Sequence, residues 1–299
     1  MEPREEIHIL LQRIAERPKA IGLINTYKSL PIAYPAAVIS HDGDSAVIRT
    51  EQLQVLCVSR DSFTYLQSEI FPAIVKAQAR EVDFQHDQVL LNDFNYVMGS
   101  IGKRMQVRVE PSESIVGLIF SKDENRTLVC EIADISLDGL GILITQEMDI
   151  KKEFPPGTHV TIHFRLPIGS DPALQSTIEA IPLTPPLERD YRLYRRLYIP
   201  TPLMQFPSIW GKVASTREIH STGCTLTGHV VNFLHRPGLH QTRAGIHLIS
   251  GGTSRSILSK YIVQRQSEII HEIRNKYDLI SWLVQNEKMT AAQAVSGGE

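Results

Sequence analysis

The sequence has little of several features that define common classes of protein. It holds 3 cysteines among 299 residues, Cys57, Cys130 and Cys224. This odd, widely spaced set fits buried thiols in a reducing compartment better than a disulfide framework. The net charge is only -2, so the chain as a whole has no strong attraction to nucleic acid or to anionic lipid. Any anion-binding site must therefore be a local cluster of basic residues.

Long apolar runs are missing as well. No stretch is long enough to span a bilayer, and the N-terminal segment "MEPREEIHILLQRIAERPK" is charged and amphipathic, unlike a signal peptide. The sequence also lacks a glycine-rich phosphate loop, a G-x-S-x-G elbow and an H-E-x-x-H pair. We therefore predict a cytoplasmic protein with no membrane span, no metal, no cofactor and no enzymatic activity.

What the sequence does contain is a series of short segments rich in β-branched residues. With 299 residues, of which 42% are apolar, two domains of ordinary size are expected. Residues 1–98 are predicted to form a helix and then a β-barrel-like domain, built from four segments separated by proline, Asp-Gly and polar turns. These segments are "KAIGLINTY", "PAAVISHDGDSAVIRT", "QLQVLCVS" and "FPAIVKAQAREVDF".

A shift in composition near residue 100 marks the start of a second domain. Residues 99–109 are predicted to be a linker, and residues 110–285 a second β domain with a proline-rich insertion at about 166–211. From Thr253 the apolar residues recur at helical spacing, which predicts a C-terminal helix. The small, polar residues of 286–299 are predicted to form a flexible tail.

The stretch "EIADISLDGLGILIT" combines an apolar strand with polar groups and glycines. Alternation places Asp134 and Ser136 on one face of the strand and puts Ile132 and Ile135 on opposite sides of it. An Asp-Gly pair ending at Gly139 favours a tight turn, after which a second apolar strand runs back. A carboxylate, a hydroxyl and a glycine that admits close approach are thus predicted at one strand end.

Upstream, "KRMQVRV" carries Arg104 and Arg108 four residues apart, a spacing that puts both guanidinium groups on one side of a helix or a strand. Such groups bind phosphate oxygens in bidentate fashion and reach the O6/N7 edge of guanine or stack on its face. Asp134 and Ser136 offer acceptors for the N1–H and the amine of guanine, and Gly139 leaves room for the base. The set predicts a guanine nucleotide pocket with phosphate clamps.

The order "RMQVR" and then "DISLDG" resembles the paired RxxxR and [D/N]xSxxG motifs of the PilZ family, receptors for the bacterial second messenger cyclic di-GMP. Four later segments are similar to the strands and closing helix of the family's six-stranded barrel: "FPPGTHVTIHFRLP", "LTGHVVNF", "RAGIHLI" and "ILSKYIVQRQSEIIHEI". Residues 1–98 resemble the N-terminal domain of flagellar-brake-type PilZ proteins in architecture and in the linker that leads to the first arginine. The resemblance implies a mostly β fold: an N-terminal split barrel, a PilZ barrel with an insertion, and a C-terminal α-helix.

The resemblance also implies a site and a function. In the family the two arginines contact phosphate and guanine, while the Asp, Ser and Gly positions receive a guanine. Carried over, the ligand-binding positions are Arg104, Arg108, Asp134, Ser136 and Gly139, with Lys103 and Gly141 as secondary candidates. Binding would order the linker, change the interdomain arrangement and signal to an unidentified protein partner in motility, biofilm formation or a related output. The alternative is a degenerate PilZ adaptor that binds a protein and no nucleotide.

Two further clusters have simpler explanations. "RDYRLYRRLY" interleaves arginine with tyrosine, as single-stranded nucleic-acid-binding surfaces do, but the overall acidity favours an amphipathic edge. A second anion contact or a partner surface stays open for that segment. The histidines around Cys224 match none of the usual zinc spacings, and Asp83, His86 and Asp87 are interpreted as a polar loop. We therefore predict neither a metal site nor a nucleic-acid role.

Overall fold

The computed structural model describes residues 3–16, 21–97, 107–121, 127–145, 150–167, 221–236, 241–249 and 252–296. Within these ranges the helices are α1 (Pro3–Glu16), α2 (Gln52–Asp61), α3 (Ile150–Glu153) and α4 (Thr253–Ser296). The first six strands are β1 (Ile21–Tyr27), β2 (Leu30–His41), β3 (Ser45–Thr50), β4 (Phe63–Gln67), β5 (Val75–Asp83) and β6 (Gln88–Tyr96). The other six are β7 (Val116–Ser121), β8 (Thr127–Ser136), β9 (Gly139–Ile144), β10 (His159–Pro167), β11 (Ser221–Arg236) and β12 (Gln241–Leu248).

The first six strands close into an antiparallel barrel in the order β1-β2-β3-β6-β5-β4. The β2–β3 connection contains the predicted Asp-Gly turn, in which Gly43 has a φ of +92° and the backbone N–H of Ser45 donates to Asp42 Oδ1 at 2.9 Å. The positive φ explains the glycine, since side chains rarely adopt that conformation. The buried apolar residues of α1, which are Ile7, Leu11 and Ile14, belong to the core of this barrel.

One segment of this barrel differs from its predicted structure. "QLQVLCVS" was expected among the strand-forming segments, but it forms α2. Every residue from Leu53 to Val58 is buried. The apolar residues therefore form no stripe at helical spacing, and their pattern alone does not distinguish a buried helix from a buried strand. The helix ends at Asp61 and is capped by Ser62, which has a left-handed backbone and donates its N–H to the carbonyl of Val58 at 2.9 Å.

The other six strands close a second antiparallel barrel in the order β10-β11-β12-β9-β8-β7. Its strands alternate: in β10 the buried side chains Val160, Ile162, Phe164 and Leu166 are separated by exposed or half-buried ones. Alternation of this kind is expected when one face of each strand lines the core and the other faces outward. The predicted fold class is confirmed: the protein is mostly β, with two closed six-stranded barrels and a C-terminal helix.

A β-bulge in β8 makes the alternation of this strand differ from the predicted one. Ile132 and Ile135 were expected on opposite sides of the strand, yet they are 2% and 0% exposed and both lie in the core. The pairing register with β9 shifts between Ile132 and Asp134, so one extra residue is inserted there. Because a bulge shifts the alternation by one residue, Ile135 returns to the core and Asp134 faces the other way.

The helix α4 packs against both barrels. Its buried residues Ile269, Ile273 and Tyr277 share one hydrophobic cluster with Tyr27 of β1, with Leu53 of α2 and with core residues of the second barrel. The helix continues to Ser296 and so includes most of the segment from 286 onward that was predicted as a flexible tail. "NEKMTAAQAVS" is rich in good helix formers, which favours this continuation.

Several predicted features fall outside the described residues. Residues 99–106 of the predicted linker and residues 168–220, which hold most of the proline-rich insertion, are not described. The predicted domain and insertion boundaries therefore stay predictions. In the part of the chain that is described, no helix is long and apolar enough to cross a membrane.

Candidate functional site

The "DISLDG" motif lies where β8 turns into β9. Ser136 pairs directly with Gly139, and the Ser136 hydroxyl donates to the Gly139 carbonyl at 2.9 Å. The backbone N–H of Leu248, at the end of β12, donates to the Asp138 carbonyl at 2.9 Å and ties the turn to the neighbouring strand. Asp134 and Ser136 are 0% and 2% exposed, which makes them two of the few buried polar residues of this barrel.

Arg108 reaches this turn from the chain segment that precedes the barrel. The next residue, Val109, forms an isolated antiparallel bridge with Ile135, with hydrogen bonds of 2.9 Å in both directions. This bridge fixes Arg108 beside the outer face of β8, where its Nη1 donates to Asp134 Oδ1 at 2.6 Å. The structure thus brings together Arg108, Asp134, Ser136 and Gly139. Arg104 and Lys103 lie outside the described residues.

The two glycines of β9 provide the space that this arrangement needs. A Cβ atom at Gly141 would overlap the carboxylate of Asp134. A Cβ atom at Gly139 would lie 2.8 Å from the carbonyl oxygen of Ile246 and 3.4 Å from Arg108 Nη2. Both positions therefore require glycine for a steric reason, and Gly141, a secondary candidate in the sequence, lies directly against Asp134.

A residue that the sequence analysis missed completes the cluster. Arg243 of β12 donates from Nη2 to Asp134 Oδ2, the carboxylate oxygen that Arg108 does not bind. The side chains of Arg108 and Arg243 are 20% and 18% exposed. Alternation in "TRAGIHLI" could have placed Arg243 on the outer face, but the strand order that sets β12 beside β9 is not visible in the sequence.

The electrostatics of the cluster favour an anion. Two guanidinium groups face one fully buried carboxylate, so the cluster carries one excess positive charge. The exposed pair formed by Arg255 Nη2 and Asp138 Oδ1, which are 3.2 Å apart, is neutral as a whole and adds nothing to this excess charge. The guanidinium groups of Arg108 and Arg243 are partly exposed and can bind phosphate oxygens, whereas the Asp134 carboxylate is fully buried and offers no open acceptor site to a new partner.

The thiols and histidines elsewhere in the protein do not add reactive chemistry to this site. The three predicted thiols are free and buried, and burial raises the pKa of Cys57 to about 12 and of Cys130 and Cys224 to about 11. His229 and His247 lie side by side with ring centroids 5.1 Å apart. Among the described residues, no three His, Cys, Asp or Glu side chains are placed to hold one metal ion.

The predicted polar loop at Asp83 is present, with His86 Nδ1 2.7 Å from Asp83 Oδ2 in an exposed pair. Its neighbour Asp87 accepts a hydrogen bond of 2.5 Å from the Tyr277 hydroxyl of α4. These residues therefore have structural partners. The "RDYRLYRRLY" segment lies outside the described residues.

The fold and the site together define a double-barrel protein with an arginine-lined cluster at one strand turn. No family model and no curated protein matches this sequence. Solved structures do match: the inhibitor of motility MotI of Bacillus subtilis is 11% identical, with 84% of this chain and 97% of that one covered and a TM-score of 0.35. The K. pneumonia MrkH complex with c-di-GMP is 10% identical, with 92% of this chain and 98% of that one covered and a TM-score of 0.35.

YcgR of Escherichia coli in complex with c-di-GMP is a third solved structure to which this chain is similar. It is 12% identical, with 93% of this chain and 95% of that one covered and a TM-score of 0.32. The similarity to PilZ-domain receptors that the motifs predict is thus also found among solved structures.

Proposed function

We propose that this protein is a cytoplasmic receptor for cyclic di-GMP that transmits binding to a protein partner and performs no chemical conversion. The observation that carries the proposal is the convergence of Arg108, Asp134, Ser136 and Gly139 at one turn. Arg108 belongs to one motif and the other three residues to a second motif that begins 26 residues later. The bridge at Val109 places Arg108 beside Asp134, and the pairing of β8 with β9 holds the other three residues. Motility, biofilm formation or a related process would be the output.

In this proposal each residue has a role that follows from its chemistry. Arg108, with Arg104 on the preceding linker, binds phosphate and the guanine O6/N7 edge, because a planar guanidinium donates to two oxygens at once. Asp134 accepts from guanine N1–H and the exocyclic amine once one of its arginine partners moves away. Gly139 lets the base approach the backbone once Arg108 is repositioned, since glycine carries no side chain of its own.

The residues that follow Arg108 support a signal between the barrels. Two residues later, the backbone N–H of Glu110 donates to the carbonyl of Lys28 at 3.0 Å, and its side chain accepts from the Ser29 hydroxyl at 2.9 Å. Lys28 and Ser29 form the turn between β1 and β2 of the first barrel. A ligand that repositions Arg108 therefore acts two residues from a direct contact with the other barrel, which supports a change in interdomain arrangement.

A second function is supported by a different observation. Both oxygens of Asp134 are already bound by arginines, and the Ser136 hydroxyl is bonded within its own turn. Such internal pairing is what a degenerate barrel would keep if the motif served only to stabilise the turn. The protein would then be an adaptor that binds a protein partner and ignores nucleotide.

Isothermal titration calorimetry of the full chain with cyclic di-GMP, and with cyclic di-AMP as control, distinguishes the two functions. A receptor gives heat with cyclic di-GMP alone, and Arg108→Ala weakens binding by about 1.5 to 3 kcal/mol, as expected for a hydrogen bond to a charged group. Arg255→Ala removes the same charge from the exposed pair with Asp138 and should bind like the wild type. Equal or absent heats for both nucleotides would leave the adaptor as the function.

A further inference from the structure

The arrangement around Asp134 raises the question of which arginine gives way to a ligand. Its carboxylate is fully buried and binds Arg108 through one oxygen and Arg243 through the other. Guanine can donate to this carboxylate only after at least one of the two ion pairs opens. Each arginine that leaves must then find a new acceptor, because a partly buried guanidinium without partners is costly.

The backbones of the two arginines are held differently. Arg108 lies outside the strands, and its backbone is held by the single bridge of the next residue, Val109, with Ile135. Arg243 lies inside β12 and pairs with Leu143 of β9 on one side and Leu234 of β11 on the other, so its backbone is fixed and only its side chain can turn. An arginine on a fixed backbone with a long side chain is suited to exchange one acceptor for another at the same place.

The surface beside Arg243 is polar. Two residues further along β12, Gly245 pairs with Gly141 of β9, and neither has a side chain above the sheet. The polar groups next to these glycines are the Asp134 carboxylate and the amide oxygen of Asn232, which would be 2.5 Å from a Cβ atom at Gly245. The space above the two glycines is thus taken by two polar side chains that a ligand can replace, and Arg243 lies on the same face of the sheet beside them.

We propose that Arg243 is a third ligand-binding arginine, outside both sequence motifs, which pairs with Asp134 in the empty site and transfers to the ligand's phosphate or guanine edge on binding. This inference rests on the proposed function. It explains why Asp134 is buried and paired with arginines: in the ligand-free protein the polar groups of the site bind one another. The exchange keeps every charge paired: Asp134 gains the guanine donors while Arg243 gains the acceptors of the nucleotide.

The test is calorimetry of the full chain with cyclic di-GMP for the wild type, Arg243→Ala, Arg243→Lys and the control Arg255→Ala. Arg243→Ala should raise the dissociation constant about 10- to 100-fold, since it removes a charge-assisted contact. Arg243→Lys should restore only part of the affinity because an ammonium cannot form the two parallel bonds of a guanidinium. Arg255→Ala should stay within about two-fold, since exposed ion pairs contribute little.

Thermal unfolding without ligand accompanies each titration, and Arg243→Lys, which keeps a cation opposite Asp134, serves as the folded variant if Arg243→Ala is unstable. A purely structural role predicts a lower unfolding temperature with an unchanged dissociation constant. Unchanged or tighter binding by the Arg243 variants, next to normal wild-type binding, overturns this inference and leaves the receptor intact. Absence of binding by the wild type overturns the receptor and this inference together.

Discussion

At the scale of single residues, the missing side chains at the glycines of β9 matter as much as the charged groups around them. The Asp134 carboxylate, which is fully buried, lies where a Cβ atom of Gly141 would be. Even the methyl group of an alanine at position 141 would therefore overlap it. The carboxylate cannot simply turn away, because each of its oxygens is bound by an arginine.

We expect Gly141→Ala to lower the free energy of unfolding by about 1 to 3 kcal/mol, the usual cost of forcing extra volume into a packed site. The change should also weaken cyclic di-GMP binding, since it displaces Asp134. Gly223→Ala is the matched control, because Gly223 lies in a strand of the same barrel and nothing lies within 4 Å of its Cβ position. Urea unfolding of both variants decides: equal stabilities would mean that Asp134 adjusts without cost.

At the scale of elements, α4 is attached to the first barrel by a small polar network. Glu272 accepts a hydrogen bond of 2.9 Å from the Tyr27 hydroxyl and pairs with Lys28 at 2.6 Å and with Lys276 at 2.9 Å. Burial opposes ionisation of this carboxylate, but the bonds from Lys276, Lys28 and Tyr27 outweigh it and lower the pKa of Glu272 to about 2. The charged form is thus the one that stabilises the packing of α4.

This pKa predicts how stability depends on pH. A carboxylate with a lowered folded-state pKa contributes its full stabilisation above its unfolded pKa of about 4.5, and the contribution falls as the pH decreases from about 4.5 to about 2. Glu272→Gln should therefore be less stable than the wild type at pH 7, by about 1 to 3 kcal/mol, and the difference should shrink across that range. Thermal unfolding from pH 7 to 2 measures it. A difference that stays constant with pH would contradict the prediction, and the exposed Glu113→Gln serves as the control.

The helices and strands also show which features of the fold a sequence pattern predicts and which it misses. Alternation and the Asp-Gly turn predict the β8–β9 hairpin, and the resemblance of the paired motifs to those of the PilZ family implies that Arg108 and Asp134 share one site. The helix α2 is missed because its buried run has no period, and the change of face at Ile135 is missed because a bulge leaves no sequence signal of its own. Arg243 is missed for a third reason: the strand order that brings β12 beside β9 depends on closure of the whole barrel.

At the scale of the whole molecule, the two barrels share one hydrophobic cluster through α4 and meet directly at Glu110. Arg265 of α4, itself 4% exposed, donates from Nε to the carbonyl of Glu110 at 2.8 Å and pairs with Glu268 at 2.9 Å. Glu110 is thus held by α4 on one side and by the Lys28–Ser29 turn on the other. A free swing of one barrel about the linker would break these contacts, so a smaller shift at this junction is the more economical response to a ligand.

We therefore expect cyclic di-GMP to change amide hydrogen exchange at Glu110 and in the Lys28–Ser29 turn, about two residues from the ligand contact at Arg108. Arg265→Met removes the bonds to Glu110 and Glu268 while keeping the bulk of the side chain, so it should bind the nucleotide with near wild-type affinity yet lose most of the exchange response in the turn. Arg274→Met, a change of the same charge at an exposed position of the same helix, should keep that response. If the wild type binds cyclic di-GMP at saturation with no change at Glu110 or in the turn, then the signal does not pass through this junction. If saturating ligand changes exchange in the Lys28–Ser29 turn of the wild type but not in that of the Arg265→Met variant, then Arg265 is the residue that couples the two barrels.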